Sequence, residues 1–223
     1  MTKIVLISDL HITKPGVLII GLDPEVRLRT VLADILDTHA DADHLILTGD
    51  LVHRGSRTEY ARLRDILTDV PIPITVMPGN HDRRKGFATI FGHPFQQTVI
   101  DTKTHTLLCL DTLDEDANDL HSGILDDDRL EWLTDAVAAT NKPLIILTHH
   151  PLGPVGFSGM DAIALRNGPQ VVDILKQTNR VQLVISGHVH RAITGSYSGL
   201  PFTVLPSPVD QMPLDFEDTS SGA

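Results

Sequence analysis

Six short apolar runs punctuate this sequence, and five of them end in residues able to bind a metal or a phosphate. The runs are 3–7 (KIVLI), 44–47 (HLIL), 74–77 (ITVM), 106–110 (TLLCL), 144–147 (LIIL) and 181–185 (VQLVI). Each has the length of a strand, and most are rich in β-branched residues. Helical patterns with recognisable starts lie between them. Asp23-Pro24 supplies an N-cap and a proline at the first helical position, ahead of Leu28, Val31, Leu32, Ile35 and Leu36. Ser56 and Glu59 form a capping box ahead of Tyr60, Leu63, Ile66 and Leu67. Asp126 and Gly168-Pro169 open two more helices. Strand and helix in alternation predict a layered α/β core. After His190 the pattern shortens to 192–197 and 201–205 around Ser198-Gly199, which reads as a terminal hairpin.

The residues after each run carry the chemistry. The first run leads into SDLH (Asp9, His11), the second into TGD (Asp50) and the third into PGNHD (Asn80, His81, Asp82). The last two lead into THHP (His149, His150) and SGHVH (His188, His190). Ligand sites in open α/β sheets gather beyond the carboxyl ends of the strands, so these clusters are predicted to converge. One such cluster is an ordinary turn; five in one chain point to a site. In GHVH, an extended backbone would send both histidines to the same side.

Asp9, His11, Asp50, Asn80, His149, His188 and His190 offer imidazole nitrogens and hard oxygens with no thiolate, a set suited to Mn, Fe, Zn or Co. Seven donors exceed what one catalytic ion with an open position can use. They suit two divalent ions about 3.5–4 Å apart that share a bridging carboxylate. Gly49, Gly79 and Gly187 let the backbone turn sharply beside them.

Composition narrows the partners. A chain of 223 residues has room for one sizeable domain. Its formal net charge of −11 provides no basic stripe for a long polyanion, so no nucleic-acid partner is expected. The N-terminal apolar run is too short for a signal peptide and no run reaches membrane-spanning length, so a cytoplasmic protein with no membrane partner is expected. Cys109 is the lone cysteine, so no intrachain disulfide can form. Arg83, Arg84 and Lys85 form a local basic run, read either as a solvated loop face or as a device steering an anionic substrate.

The ordered series DLH, GDL, GNHD, HHP and GHVH, from Asp9 to His190, resembles the signature of the calcineurin-like metallophosphoesterases. Within that superfamily, THHP and the segment GMDAIALRNGPQVVDIL are similar to the class III cyclic nucleotide phosphodiesterases and their glycerophosphodiesterase relatives. The resemblance implies a four-layer α/β/β/α sandwich with two mixed sheets flanked by helices. It implies a metallophosphoesterase domain over 1–210 and a polar tail over 211–223. Asp9, His11 and His190 would hold one metal, Asn80, His149 and His188 the other, and Asp50 would bridge them. His150 is left with packing or a supporting hydrogen bond.

His81 is the implied catalytic residue, binding the phosphate beside Asn80 or protonating the leaving alkoxide. Asn167 is a further candidate for substrate binding, with Met160, Asp161 and Arg166 in the same segment. His53 is read as pocket or surface. His39, His44, His93, His105 and His121 have no motif context and are expected to be structural or surface residues. The implied activity is hydrolysis of a small phosphodiester of the cAMP type by metal-activated hydroxide attack on phosphorus. The alternatives are a glycerophosphodiester phosphodiesterase, a broad-specificity phosphoesterase and, from a different class, a non-catalytic metal-binding scaffold. The implied partner is a small-molecule phosphodiester, and a homo-oligomer is compatible with the sequence.

Overall fold

The structure, a computed structural model, describes residues 2–95 and 97–214. Strands β1 (Ile4–Ile7), β2 (His44–Thr48) and β3 (Ile74–Met77) form one sheet in that order, with both pairings parallel. The crossovers are helices α1 (Pro24–Thr38) and α2 (Arg57–Leu67). Their starts follow the sequence signals. Asp23 caps Glu25 N–H, and Ser56 and Glu59 make both bonds of the capping box.

The second sheet has the order β4-β5-β6-β7-β9-β8. Its strands are β4 (Thr98–Asp101), β5 (Thr106–Cys109), β6 (Leu144–Leu147), β7 (Val181–Ser186), β8 (Ile193–Tyr197) and β9 (Leu200–Val204). Helix α3 (Arg84–Phe91) follows the first sheet, while α4 (Asp127–Ala138), α5 (Ser158–Asp161) and α6 (Gly168–Lys176) accompany the second.

Strand alternation assigns the layers. Leu45 and Leu47 face one way and pack with Leu28, Leu32 and Leu63 of α1 and α2. Ile46, between them, faces the other sheet and joins Met77, Leu107, Cys109, Leu147 and Ile185. On the second sheet, Leu108, Leu144, Ile146 and Val184 turn outward onto Leu133, Val171 and Leu175. Both sheets are therefore buried on both faces, giving helix, sheet, sheet and helix in succession.

Four details depart from the sequence reading. First, only the second sheet is mixed: β4 runs antiparallel to β5 and β8 to β9, while every link in the first sheet is a helical crossover that returns the chain in the same direction. Second, β4 carries no continuous apolar run, because it is a sheet edge whose residues alternate between half-buried and exposed. Third, the basic run 83–85 does not lie in a loop, since Arg84 opens α3. Fourth, Gln211, Met212 and Pro213 of the expected tail line the central cavity; residues 215–223 lie outside the described residues. The terminal hairpin turns through Ser198 (φ 51°) and Gly199 (φ 87°), both left-handed as a tight two-residue turn requires. Among the described residues, no helix is long and apolar enough to cross a membrane.

Candidate metal centre

Strands β1, β2, β3, β6 and β7 deliver the motif residues to one place, within a few residues of leaving their sheets. The exits are abrupt. Asp9 (φ 56°), His11 (45°), Asp50 (48°), His188 (72°) and His190 (56°) are five of the eight non-glycine residues with positive φ among those described. Each such conformation costs about 1 kcal/mol or more for an L-residue. The concentration of that strain on proposed ligands marks the site without reference to any motif. At Gly49 (φ 106°), a Cβ would also run into the His149 ring.

The GHVH pair reaches the site by a route other than strand alternation. β7 ends at Ser186, Val189 N–H bonds back to Gly187 O at 2.8 Å, and both histidines are left-handed. A tight turn, not an extended segment, converges the two rings.

Two groups of donors result. In the first, His11 Nε2 lies 2.9 Å from His190 Nε2 and 3.5 Å from Asp50 Oδ2, and His190 Nε2 lies 3.5 Å from Asp9 Oδ1. In the second, Asn80 Oδ1 lies 3.1 Å from His149 Nε2 and 2.9 Å from His188 Nδ1, while Asp50 Oδ1 lies 3.4 Å from His149 Nε2. Asp50 thus turns one oxygen toward each group.

Backbone and side-chain contacts hold these groups in place. His149 Nδ1–H donates to Thr48 O at 3.1 Å, His188 N–H donates to Asp9 Oδ1 at 3.0 Å, and His190 Nδ1–H donates to Asp210 Oδ1 at 3.0 Å. A histidine whose distal nitrogen is so engaged presents its other nitrogen in a fixed direction. Asp82 braces the loops from beneath, with Oδ2 accepting from Leu51 N–H and Gly79 N–H and Oδ1 from the Tyr60 hydroxyl. Burial, with Asp50 close by, pushes its carboxyl up to about 7.

The electrostatics match a cation site. Burial alone would raise Asp50, but the facing His149 and His81 outweigh it and hold the carboxyl well below its usual range. Burial likewise opposes charge on His149 and His190. Asp50 nevertheless lifts His149 to about 9, and Asp9 with Asp210 lifts His190 to about 8. Burial drives His11 and His188 well below their ordinary value, toward the neutral, ligating form. Among the described residues, His188 Nε2 is a buried ring nitrogen with no hydrogen-bond partner. Converging ring nitrogens and two carboxylates form a donor set that fits divalent ions.

His81 lies over this floor. Its N–H donates to Asp50 Oδ1 at 2.9 Å, and its Nδ1–H donates to His53 O at 2.9 Å. His53 stacks on the His81 ring, with centroids 5.3 Å apart, and both line the cavity.

Two residues without motif context also reach the site, and His150 of the THHP motif supports one of them. His121, expected at the surface or in a structural role, lines the cavity and accepts from Asn80 Nδ2 through Nδ1 at 3.2 Å. Asp210 fixes His190, as described above. His150 ties down the loop that carries His121: its Nε2–H donates to His121 O at 2.9 Å, and Thr112 Oγ1 donates to its Nδ1 at 2.7 Å. Burial depresses His150 to about 3 and keeps it neutral for these two bonds.

Other candidates turn away. Asn167 is not in the cavity wall; its side chain accepts from Leu125 N–H at 3.1 Å and donates to Leu125 O at 2.7 Å. Both bonds clamp it to the segment before α4. Arg166 bonds Ser122 and Asp114, and Asp161 accepts from Val155 N–H, whereas Met160 does line the cavity. Arg83 donates to Asn80 O and Asp82 O, and Arg84 pairs with Asp111 at 2.6 Å, so two of the three basic residues are spent on the fold.

A four-layer sandwich with paired His/Asp clusters beyond its strand ends defines a class, and residues 2–192 match the calcineurin-like phosphoesterase family. The chain belongs to that family. A dimetal phosphatase from Danio rerio has the same fold, with a TM-score of 0.71 over 93% of this chain and 88% of that one at 14% identity. A probable cyclic nucleotide phosphodiesterase of Rhodopseudomonas palustris is 36% identical over 221 residues, covering 96% of this chain and 80% of that protein. The 3',5'-cyclic adenosine monophosphate phosphodiesterase CpdA of Pseudomonas aeruginosa is 27% identical over 208 residues, covering 92% and 75%. Within its family, the chain is a metal-dependent phosphodiesterase.

Proposed function

We propose that this enzyme hydrolyses small phosphodiesters of the cyclic nucleotide type, cyclic AMP among them, at two divalent ions. The observation that carries the two-ion reading is the Asp50 carboxylate, with Oδ2 3.5 Å from His11 Nε2 and Oδ1 3.4 Å from His149 Nε2. In this reading Asp9, His11 and His190 would hold one ion, Asn80, His149 and His188 would hold the other, and Asp50 would serve both. Ions bound there supply an acidified water and neutralise charge building on the phosphoryl oxygens.

The remaining work falls to the chain. Water gives up one proton to solvent as its oxygen attacks phosphorus, the P–O bond to the leaving oxygen breaks, and that oxygen takes a proton from the chain. His81 is the proposed donor. Because its Nδ1–H is held by His53 O, the transferable proton is the one on Nε2. His121 keeps the Asn80 amide nitrogen on its own side, which leaves Oδ1 aimed at His149 and His188. The complete donor set argues against a non-catalytic scaffold. The names of the Rhodopseudomonas and Pseudomonas relatives favour a cyclic nucleotide substrate.

The test is a panel in which the protein, loaded in turn with Mn, Fe, Zn and Co, is assayed against cyclic AMP, a glycerophosphodiester and a monoester. Cyclic AMP should give the highest kcat/KM with at least one metal, and Asp50→Ala should lower kcat about 1000-fold or more. No turnover of any diester with any metal would sink the reading.

A further inference from the structure

We infer that the apolar side of the cavity, built by Met160, Ile163, Val189 and Met212, is a seat for the flat base of the diester. The inference rests on the phosphodiesterase reading above and extends it to the basis of substrate choice.

The cavity has two kinds of wall. His53, His81 and His121 stand with the proposed metal ligands and present ring nitrogens suited to phosphate oxygens. Met160, Ile163 and Val189 belong to a separate buried apolar cluster with Phe157 and Val204, and Met212 packs against it. Val189 lies between His188 and His190, so this wall begins one residue from two of the proposed metal ligands.

The wall is braced by polar bonds to its supporting segments. Asp161, next to Met160, accepts from Val155 N–H at 2.7 Å and Gly156 N–H at 3.2 Å, which closes the loop into α5. Arg191 donates to Met212 O at 2.6 Å.

Some polar atoms at its border are already engaged. Asp210 bonds His190, and the Gln211 amide donates to Ser207 O at 2.6 Å and Asp210 O at 3.3 Å. A substituent resting here therefore meets chiefly the partly buried Met212, with Met160 (4% exposed), Ile163 (8%) and Val189 (1%) packed behind it. Glycerol hydroxyls placed there would lose water without gaining a partner, at a cost of about tenfold in affinity for each. A purine face loses little, and methionine packs well against aromatic rings. The seat reads flatness and leaves the polar edge of the base unread, so adenine and guanine should be accepted about equally.

The experiment compares kcat/KM for cyclic AMP, cyclic GMP and glycerophosphoethanolamine in the metal-loaded enzyme, its Met160→Ala and Met212→Ala variants, and Met212→Leu. Met160 is only 4% exposed and its truncation loosens the cluster, so Met212→Ala is the deciding variant. It should lower the ratio of kcat/KM for cyclic AMP to that for glycerophosphoethanolamine about tenfold, through KM, and Met212→Leu should restore most of it. Cyclic AMP and cyclic GMP should agree within about threefold, because no fixed partner reads the base edge. An unchanged ratio in Met212→Ala, or a preference of about a hundredfold between the two nucleotides, would overturn the seat. If the wild type turns over no diester, the phosphodiesterase reading fails. Calorimetry with cyclic AMP then decides the seat, which stands if Met212→Ala weakens binding about tenfold and falls if binding is unchanged.

Discussion

The strand ends and the loops that wall the cavity build one site by opposite means. At the strand ends, ligand candidates sit within a few residues of a sheet, almost fully buried, and five of the seven are held in left-handed turns. In the wall, position comes from contacts between residues far apart in the chain: His121 with Asn80, Asp210 with His190. Strand ends fix where the chemistry happens, and loops decide what fits beside it. Substitutions in the two regions should fail in different ways.

The largest effect is expected at a strand end. His149→Ala should lower kcat/KM about 1000-fold and reduce the bound metal per chain, measured by steady-state kinetics and elemental analysis. A wall substitution with an equal loss of kcat would break the comparison. Next comes Gly49→Ala, which forces a side chain into a left-handed turn and against the His149 ring. A loss of about 3 kcal/mol in unfolding free energy is expected by chemical denaturation.

Asp210→Asn tests whether a loop residue can act through a ligand. Metal affinity should drop about 10–100-fold in a metal titration, with the fold intact by circular dichroism. An unchanged affinity would mean that His190 needs no help from the wall. The smallest effect is expected at Asn167→Ala. It removes two hydrogen bonds to Leu125 and should cost about 1–2 kcal/mol of stability while leaving KM alone. A raised KM would return Asn167 to the substrate side.

The same contrast explains what could be read from the sequence. β1, β2, β3, β6 and β7 announce themselves as apolar runs, and each places its polar residues directly afterwards, so local spacing is enough to nominate Asp9, Asp50, Asn80, His149 and His188. β4 and α3 are quieter. β4 is an exposed edge, and the start of α3 lacks a side-chain cap, so neither carries the usual local signal. His121 and Asp210 could not be found by spacing at all, since their roles exist only once distant loops have met. Asn167 was misread for the same reason: it sits near the right segment, but its amide is spent on Leu125. The GHVH pair converges by a geometry other than the expected one, because the left-handed turn that aims it is invisible to a period-two argument.

The division of donors between the sheets has a mechanical consequence. Asp9, His11, Asp50 and Asn80 follow strands of the first sheet, whereas His149, His188 and His190 follow strands of the second. Each donor group draws on both. With a single cysteine, this chain cannot rivet its two halves by a disulfide. Ions bridging the seam would act as that rivet, so the lifetime of the folded sandwich, and not only its turnover, would follow the metal supply.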